Sequence, residues 1–239
     1  MNIRLRFQLQ QDTLPSREDH LGDLWKVAKL LEPFGFPIGD WYPPAATRKR
    51  SLANPAFDHH GPTSTALDML RVQDEKNKTT DLEFRRTGVW NGKEKGRRCV
   101  FSTVLSSDAG NPTCLLDLEF EAVEALDDAC NVQQFVLGLL DIWPAAFYIR
   151  VGPLMYYTTH KVFSDRPGVG WMLYLNEVIT AAQVPEAAAV VPVMRGDKPN
   201  GSIIVSVGDK VFSVHEAEHV KTANAIEVRL ADQDLLPRY

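Results

Sequence analysis

Between Leu82 and Val123 the chain runs three times through apolar and polar residues in alternation, as LEFRRTGVW, RRCVFSTVL and CLLDLEFEAV. The breaks between these runs are turn formers, NGK at 91–93 and DAGNP at 108–112. Period two sends successive side chains to opposite faces of a pleated strand, and Asn-Gly between two such runs is a hairpin signal. Strands joined by turns this short pair antiparallel, because a parallel crossover needs a dozen or more residues. The stretch therefore dictates an antiparallel meander with one apolar and one wet face. In its last strand Asp117, Glu119 and Glu121 alternate with Leu118 and Phe120, so three carboxylates share the face away from the core.

An apolar sheet face must be covered, and the remaining pattern supplies helices to cover it. Ser16 with Asp19 forms a capping-box-like start, after which Leu21, Leu24, Trp25, Ala28 and Leu31 keep helical spacing until Pro33. A second helix is expected near Ser64 to Lys76, carrying Leu67, Met69 and Leu70. Asp127 or Asp128 can cap a third, in which Val132, Phe135, Val136, Leu139 and Leu140 precede Pro144. A last helix is expected over Val214 to Leu230. Further strands are read at Ile3 to Leu9, AAFYIRV, WMLYL, AAVVPV and SIIVSV, while Phe34 to Ser64, dense in Pro and Gly, reads as a long, partly packed connection. The expected fold is α+β: a mostly antiparallel sheet with helices packed on it, residues 1–239 forming a single layered domain, with two sub-lobes as the alternative.

Composition narrows the function classes. The net charge of −5, from 31 acidic against 26 basic residues, does not suit a general nucleic-acid or anionic-membrane binder. No apolar run reaches the ~18 residues of a membrane span, and the alternating MNIRLRFQLQQ reads as a strand rather than a signal peptide. Cys99, Cys114 and Cys130 are odd in number and include no C-x-x-C, which suits a reducing compartment and buried structural thiols. A cytoplasmic protein without cofactor or nucleic acid is expected.

Two motifs invite a metal. HEAEH, His215 to His219, matches the H-E-x-x-H of zinc metalloproteases, where two imidazoles on one helical face hold the ion and the glutamate activates water. A third ligand is missing: Glu227 lies eight residues past His219, roughly 12 Å along a helix. Ser213 and Glu216 instead spell a capping box, S-x-x-E, and His219 leads into the apolar stripe of Ala223, Ile226 and Leu230. Asp58-His59-His60 lacks the companion acidic motifs of a two-metal phosphoesterase and reads as an exposed loop. No nucleophile elbow or phosphate-binding loop is present. The basic clusters at Arg48 to Arg50, Arg85-Arg86 and Lys93 to Arg98 read as solvated loop and hairpin charge. No catalytic or metal-binding residue is assigned.

Trp25, Leu30-Leu31, Phe34-Gly35, Trp41, Gly170-Trp171-Met172-Leu173-Tyr174-Leu175, Pro185, Asn224 to Glu227, Leu230 and Leu235-Leu236-Pro237 form a pattern spread over nearly the whole chain. In this set the sequence resembles the immunity protein 52 family of bacterial polymorphic toxin systems. The resemblance implies a cytoplasmic antitoxin that binds a cognate nuclease toxin of restriction-endonuclease type, including effectors of type VI secretion. It transfers no binding residue. From the residues themselves, Asp117, Glu119 and Glu121 are candidates to meet a basic DNA cleft, and Trp41, Tyr42, Tyr156 and Tyr157 are candidate anchors wherever they are exposed. Inhibition would cover the cleft or block toxin assembly. The alternative is a zinc-dependent hydrolase built on His215, Glu216 and His219.

Overall fold

The computed structural model describes residues 1–8, 14–77, 84–106 and 113–239. The expected DAGNP turn lies outside the described residues. The strands are β1 (Asn2–Gln8), β2 (Phe57–Asp58), β3 (Gly61–Pro62), β4 (Phe84–Trp90), β5 (Cys99–Ser106), β6 (Thr113–Phe120), β7 (Ala146–Gly152), β8 (Met172–Leu175), β9 (Ala189–Arg195) and β10 (Lys198–Val205). The helices are α1 (Arg17–Leu31), α2 (Arg48–Leu52), α3 (Ser64–Asn77), α4 (Ala129–Ile142) and α5 (Ala217–Asp232). Eight strands form one open sheet in the order β4-β5-β6-β1-β7-β8-β10-β9, and β2 pairs with β3. The fold is α+β, and the pairs β4/β5, β5/β6, β7/β8, β8/β10 and β9/β10 are antiparallel. Internal contacts divide the chain into two compact units: Met1–Leu5, Glu124–Leu137 and Ala145–Tyr239 in one, Arg6–Val123 and Gly138–Pro144 in the other.

The unit containing the meander is organised by the expected alternation. β5 alternates buried and half-buried residues along its whole length. On β6 Cys114, Leu116, Leu118 and Phe120 are buried. Burial pushes the Cys99 and Cys114 thiols far above their ordinary range, leaving them inert. Helix α1 starts where Ser16 Oγ accepts from Asp19 N at 2.9 Å, and it buries Leu21, Leu24, Val27, Ala28 and Leu31. Each of the larger of these contributes roughly 1.5–3 kcal/mol of transfer free energy. Asp74 of α3 receives Arg17 Nε at 2.8 Å and Arg85 Nε at 2.9 Å, linking two helices to β4.

Phe34 to Ser64 contains more regular structure than its Pro and Gly content predicted: two single turns of 3-10 helix, then α2, β2 and β3. The reason is hydrophobic. Phe36, Ile38, Trp41, Ala56 and Phe57 are buried, so these residues are pinned by tertiary packing rather than by local propensity.

In the other unit β8 is buried throughout, and β7 is buried at all but one of its positions. Tyr156–His160 form a short stretch of π-helix, where the sequence predicted only an aromatic-rich segment. Its register is held from α5: Tyr156 Oη donates to Glu227 Oε1 at 2.5 Å, Val162 N donates to Glu227 Oε2 at 2.8 Å, and Val169 N donates to Oε1 at 2.9 Å. Burial pushes the Glu227 carboxyl above its ordinary value, opposed by these three donors. Helix α4 is capped by Asp128, whose Oδ1 accepts from Asn131 N at 2.9 Å. Cys130, in the first turn of α4, is exposed and so departs from the expected buried thiol.

Candidate functional site

The HEAEH segment does not build a metal site. Helix α5 begins at Ala217, so His215 lies before it, exposed, and the two imidazoles are not side by side on one helical turn. The expected capping box is also absent, because Glu216 is itself the N-cap residue, with extended backbone and no side-chain capping bond. Ser213 is engaged otherwise: its Oγ accepts from His215 N at 3.2 Å, and its N–H donates to His219 Nδ1 at 3.0 Å. His219 is buried beside Phe212, ring centroids 5.6 Å apart. Among the described residues no three His, Cys, Asp or Glu side chains converge to hold a metal. At the DHH segment Asp58 Oδ1 accepts from His60 N at 2.7 Å and Gly61 N at 3.1 Å, forming the turn between β2 and β3.

Three of the four candidate aromatic anchors are core residues. Trp41 and Tyr156 have no exposed surface and Tyr157 has 4%. Trp41 stacks on Phe36 at 5.8 Å and meets Phe101 edge-on at 4.7 Å. Tyr157 lies under the buried Arg150 guanidinium, 4.0 Å from the ring centroid. Aromatic rings bury large areas and go to the core unless a surface needs them, so none of these three can anchor a partner in this conformation. Tyr42 is half-buried, and its backbone pairs with Trp90 through bonds of 2.9 and 3.0 Å.

The carboxylates are placed unequally. Glu119 is exposed and Asp117 half-buried, both on the outer face of β6, opposite Val100 and Ser102 of β5. Glu121 lies past the strand, and its Oε2 accepts from Gly96 N in the β4–β5 hairpin loop. It closes that loop rather than extending the ladder.

The same outer face carries an arrangement not anticipated from the sequence. Register places Arg86, Gly88 and Trp90 of β4 opposite Val104, Ser102 and Val100 of β5. Above them is a groove of about 790 Å³ rimmed by Arg48, Arg86, Lys93, Lys95 and Arg98, with Glu94 and Glu121 as the acidic lining residues among those described. Arg48 is occupied: it donates to Gly92 O at 3.0 Å, pairs with Glu94 at 2.9 Å and lies 5.8 Å from the Trp90 ring centroid. Lys93 lies 3.7 Å from Asp40. Among the described residues the exposed Arg86, Lys95 and Arg98 have no ion-pair partner. A local positive field on an acidic protein results, focused by the low dielectric of the sheet beneath. These cations come from positions 48 to 98, so no single window of sequence displays them. The period-two placement of Arg86, Gly88 and Trp90 on one face was the signal available.

β4 is also the sheet's edge strand. Its outward backbone groups are covered at two points, by Tyr42 pairing with Trp90 and by Gln73 Nε2 donating to Arg86 O at 3.2 Å. Pairing alternation then directs the N–H and C=O of Gly88, midway between them, to the same open side. Among the described residues nothing pairs with either group. Beneath the edge, between α3 and the loop after Tyr42, lies a second hollow of about 450 Å³ lined by Ala45, Ala66, Met69, Leu70, Thr87 and Val89 among others. Gly88 and its strand neighbours border both spaces.

No helix among the described residues is long and apolar enough to cross a membrane. No protein-family model matches the sequence, and no curated protein matches it. Among solved structures the chain is similar in fold to the Pseudomonas aeruginosa T6SS protein PA0821, with a TM-score of 0.54 and 11% identity over 96% of this chain and 75% of that one. At that identity the likeness establishes a shared fold.

Proposed function

We propose that this chain is an immunity protein acting in the cytoplasm, one that binds a cognate nuclease effector toxin stoichiometrically and blocks its activity. The observation that carries the reading is the fold likeness to a T6SS protein over 96% of the chain. It agrees with the resemblance to immunity protein 52 drawn from the spread of Trp, Gly and Leu positions. Glu119, exposed on the outer face of β6, supports inhibition by covering a basic DNA cleft, since a nuclease must attract phosphates and so presents positive charge. The dispersed geometry of His215, Glu216 and His219 lends nothing to the zinc-hydrolase alternative.

The test is to identify the neighbouring genes and co-express this chain with any nuclease-domain toxin they encode, combined with size-exclusion chromatography and light scattering of the mixture. Rescue of growth and a complex of defined stoichiometry are expected, and continued toxicity with no complex refutes the reading. Within it, Glu119→Lys separates the two modes of inhibition. Loss of affinity together with loss of its salt dependence supports cleft covering, whereas unchanged affinity with a monomeric toxin in the complex supports a block of toxin assembly.

A further inference from the structure

We infer that the open edge of β4 at Gly88 is a docking site for an extended segment of a partner protein in which acidic and apolar residues alternate. The partner's identity as the toxin rests on the function proposed above; the docking chemistry does not. An edge strand with unpaired N–H and C=O groups is a template for a further strand, and main-chain bonds then supply affinity while side-chain pockets supply specificity. Here the template is limited on both sides, by the Tyr42 bridge at Trp90 and by the Gln73 amide on Arg86 O. The groups between them, at Gly88, have no partner among the described residues.

Strand geometry assigns the side chains. A residue paired with Gly88 through both main-chain bonds points its side chain to the same face as Gly88, into the groove rimmed by Arg86, Lys95 and Arg98. Its two neighbours point to the opposite face, into the hollow lined by Ala66, Met69 and Leu70. Unpaired guanidinium and ammonium groups select carboxylates, which Arg can hold through two parallel hydrogen bonds. The lower hollow selects aliphatic side chains. Glycine at position 88 is required by the close packing of β4 on β5, since an added Cβ there would lie 2.6 Å from Ser102 Cβ and 2.8 Å from Phe101 O. A second copy of this chain offering its own β4 edge would bring Arg86 cations towards one another, so charge favours an acidic segment instead.

The experiment uses the full chain and short acetylated peptides of alternating leucine and glutamate, measured by fluorescence anisotropy. The glutamate peptide is expected to bind at least about tenfold more tightly than its lysine twin, and Arg86→Glu/Arg98→Glu is expected to remove that preference. N-methylation at every glutamate, whose N–H groups would face β4, is expected to abolish binding, while N-methylation at every leucine leaves most of it. The ligand-side comparison does not depend on any variant folding. No peptide binding, equal binding of the lysine twin, equal loss from both methylation patterns, or tighter binding of single-stranded oligothymidylate each overturns the proposal. Toxin capture without peptide binding overturns only the edge docking, and peptide binding without toxin capture overturns only the immunity reading.

Discussion

Tyr156 Oη and Glu227 Oε1 lie 2.5 Å apart, joined by a hydrogen bond between residues 71 positions apart in the chain. Both side chains are buried, and the same carboxylate accepts the amides of Val162 and Val169. A buried carboxylate is costly unless its lone pairs are taken up, and three donors take them up here. Burial, reinforced by the adjacent Glu227 charge, pushes the Tyr156 phenol well above its ordinary range, so it remains a donor at any working pH.

Tyr156→Phe is expected to cost about 1–3 kcal/mol, the price of leaving one buried acceptor short. Glu227→Ala strands three donors and should cost about 3 kcal/mol or more. Urea unfolding of both singles and the double variant checks this. The phenylalanine change should cost clearly less in the alanine background, and simple additivity contradicts the shared site.

His20, buried against Thr103, has its imidazole pKa lowered to about 3, first by burial and then by the nearby Arg85 charge. A lowered folded-state value means that the neutral ring stabilises the fold above the unfolded-state value of 6.5 and that this contribution is lost as pH falls towards 3. Stability should fall by about 1.4 kcal/mol per pH unit from this group between pH ~6 and ~4. Unfolding free energies measured across that range should fall less steeply in His20→Gln; identical slopes would show that His20 is not the titrating group.

Gly170 has φ +57°, and a Cβ there would collide with Tyr157 Oη and lie 3.0 Å from Val151 O. Gly196 has φ +61° with nothing within 4 Å. Gly170→Ala should therefore cost about 2–4 kcal/mol, while Gly196→Ala carries only the backbone strain of about 1 kcal/mol. Thermal melts of the two variants test the ranking, and similar shifts contradict it.

His215→Ala should leave stability within about 0.5 kcal/mol of the parent, since His215 is exposed and lies ahead of α5. His219→Ala should cost about 1–2 kcal/mol, because it strands the Ser213 amide and removes a ring packed on Phe212. Equal effects, or stoichiometric zinc in untagged protein, would return HEAEH to the metal reading.

Legibility followed the range of the interactions. α1 could be read because its determinants are local: Ser16 at the start, Pro33 just past the last turn, and an apolar stripe between. The β4–β6 meander was legible for the same reason, in its alternation, although β4 and β5 are joined by the loop 91–98 rather than by the expected tight Asn-Gly turn. The start of α5 was not, because Ser213 and Glu216 satisfy a local rule while the Ser213 amide is taken by His219 and Glu216 stays outside the helix. The aromatic candidates could not be sorted by side, since residue type does not reveal it: Trp41 and Tyr157 are equally apolar in a core or an interface, and both are buried. The basic groove was missed because Arg48, Arg86 and Arg98 meet only after the hairpin and α2 have folded against each other.

The Glu227 carboxylate has a consequence for the order of assembly on the ribosome. The amides of Val162 and Val169 and the phenol of Tyr156 are made long before their shared acceptor, which belongs to the second half of α5. Until that helix clears the exit tunnel, these groups have only water as a partner, and the segment from Tyr156 to Val169 cannot shed it. Completion of this unit therefore waits for α5, and a nascent chain stalled before Glu227 would expose its β7 and β8 apolar surface to chaperones and proteases.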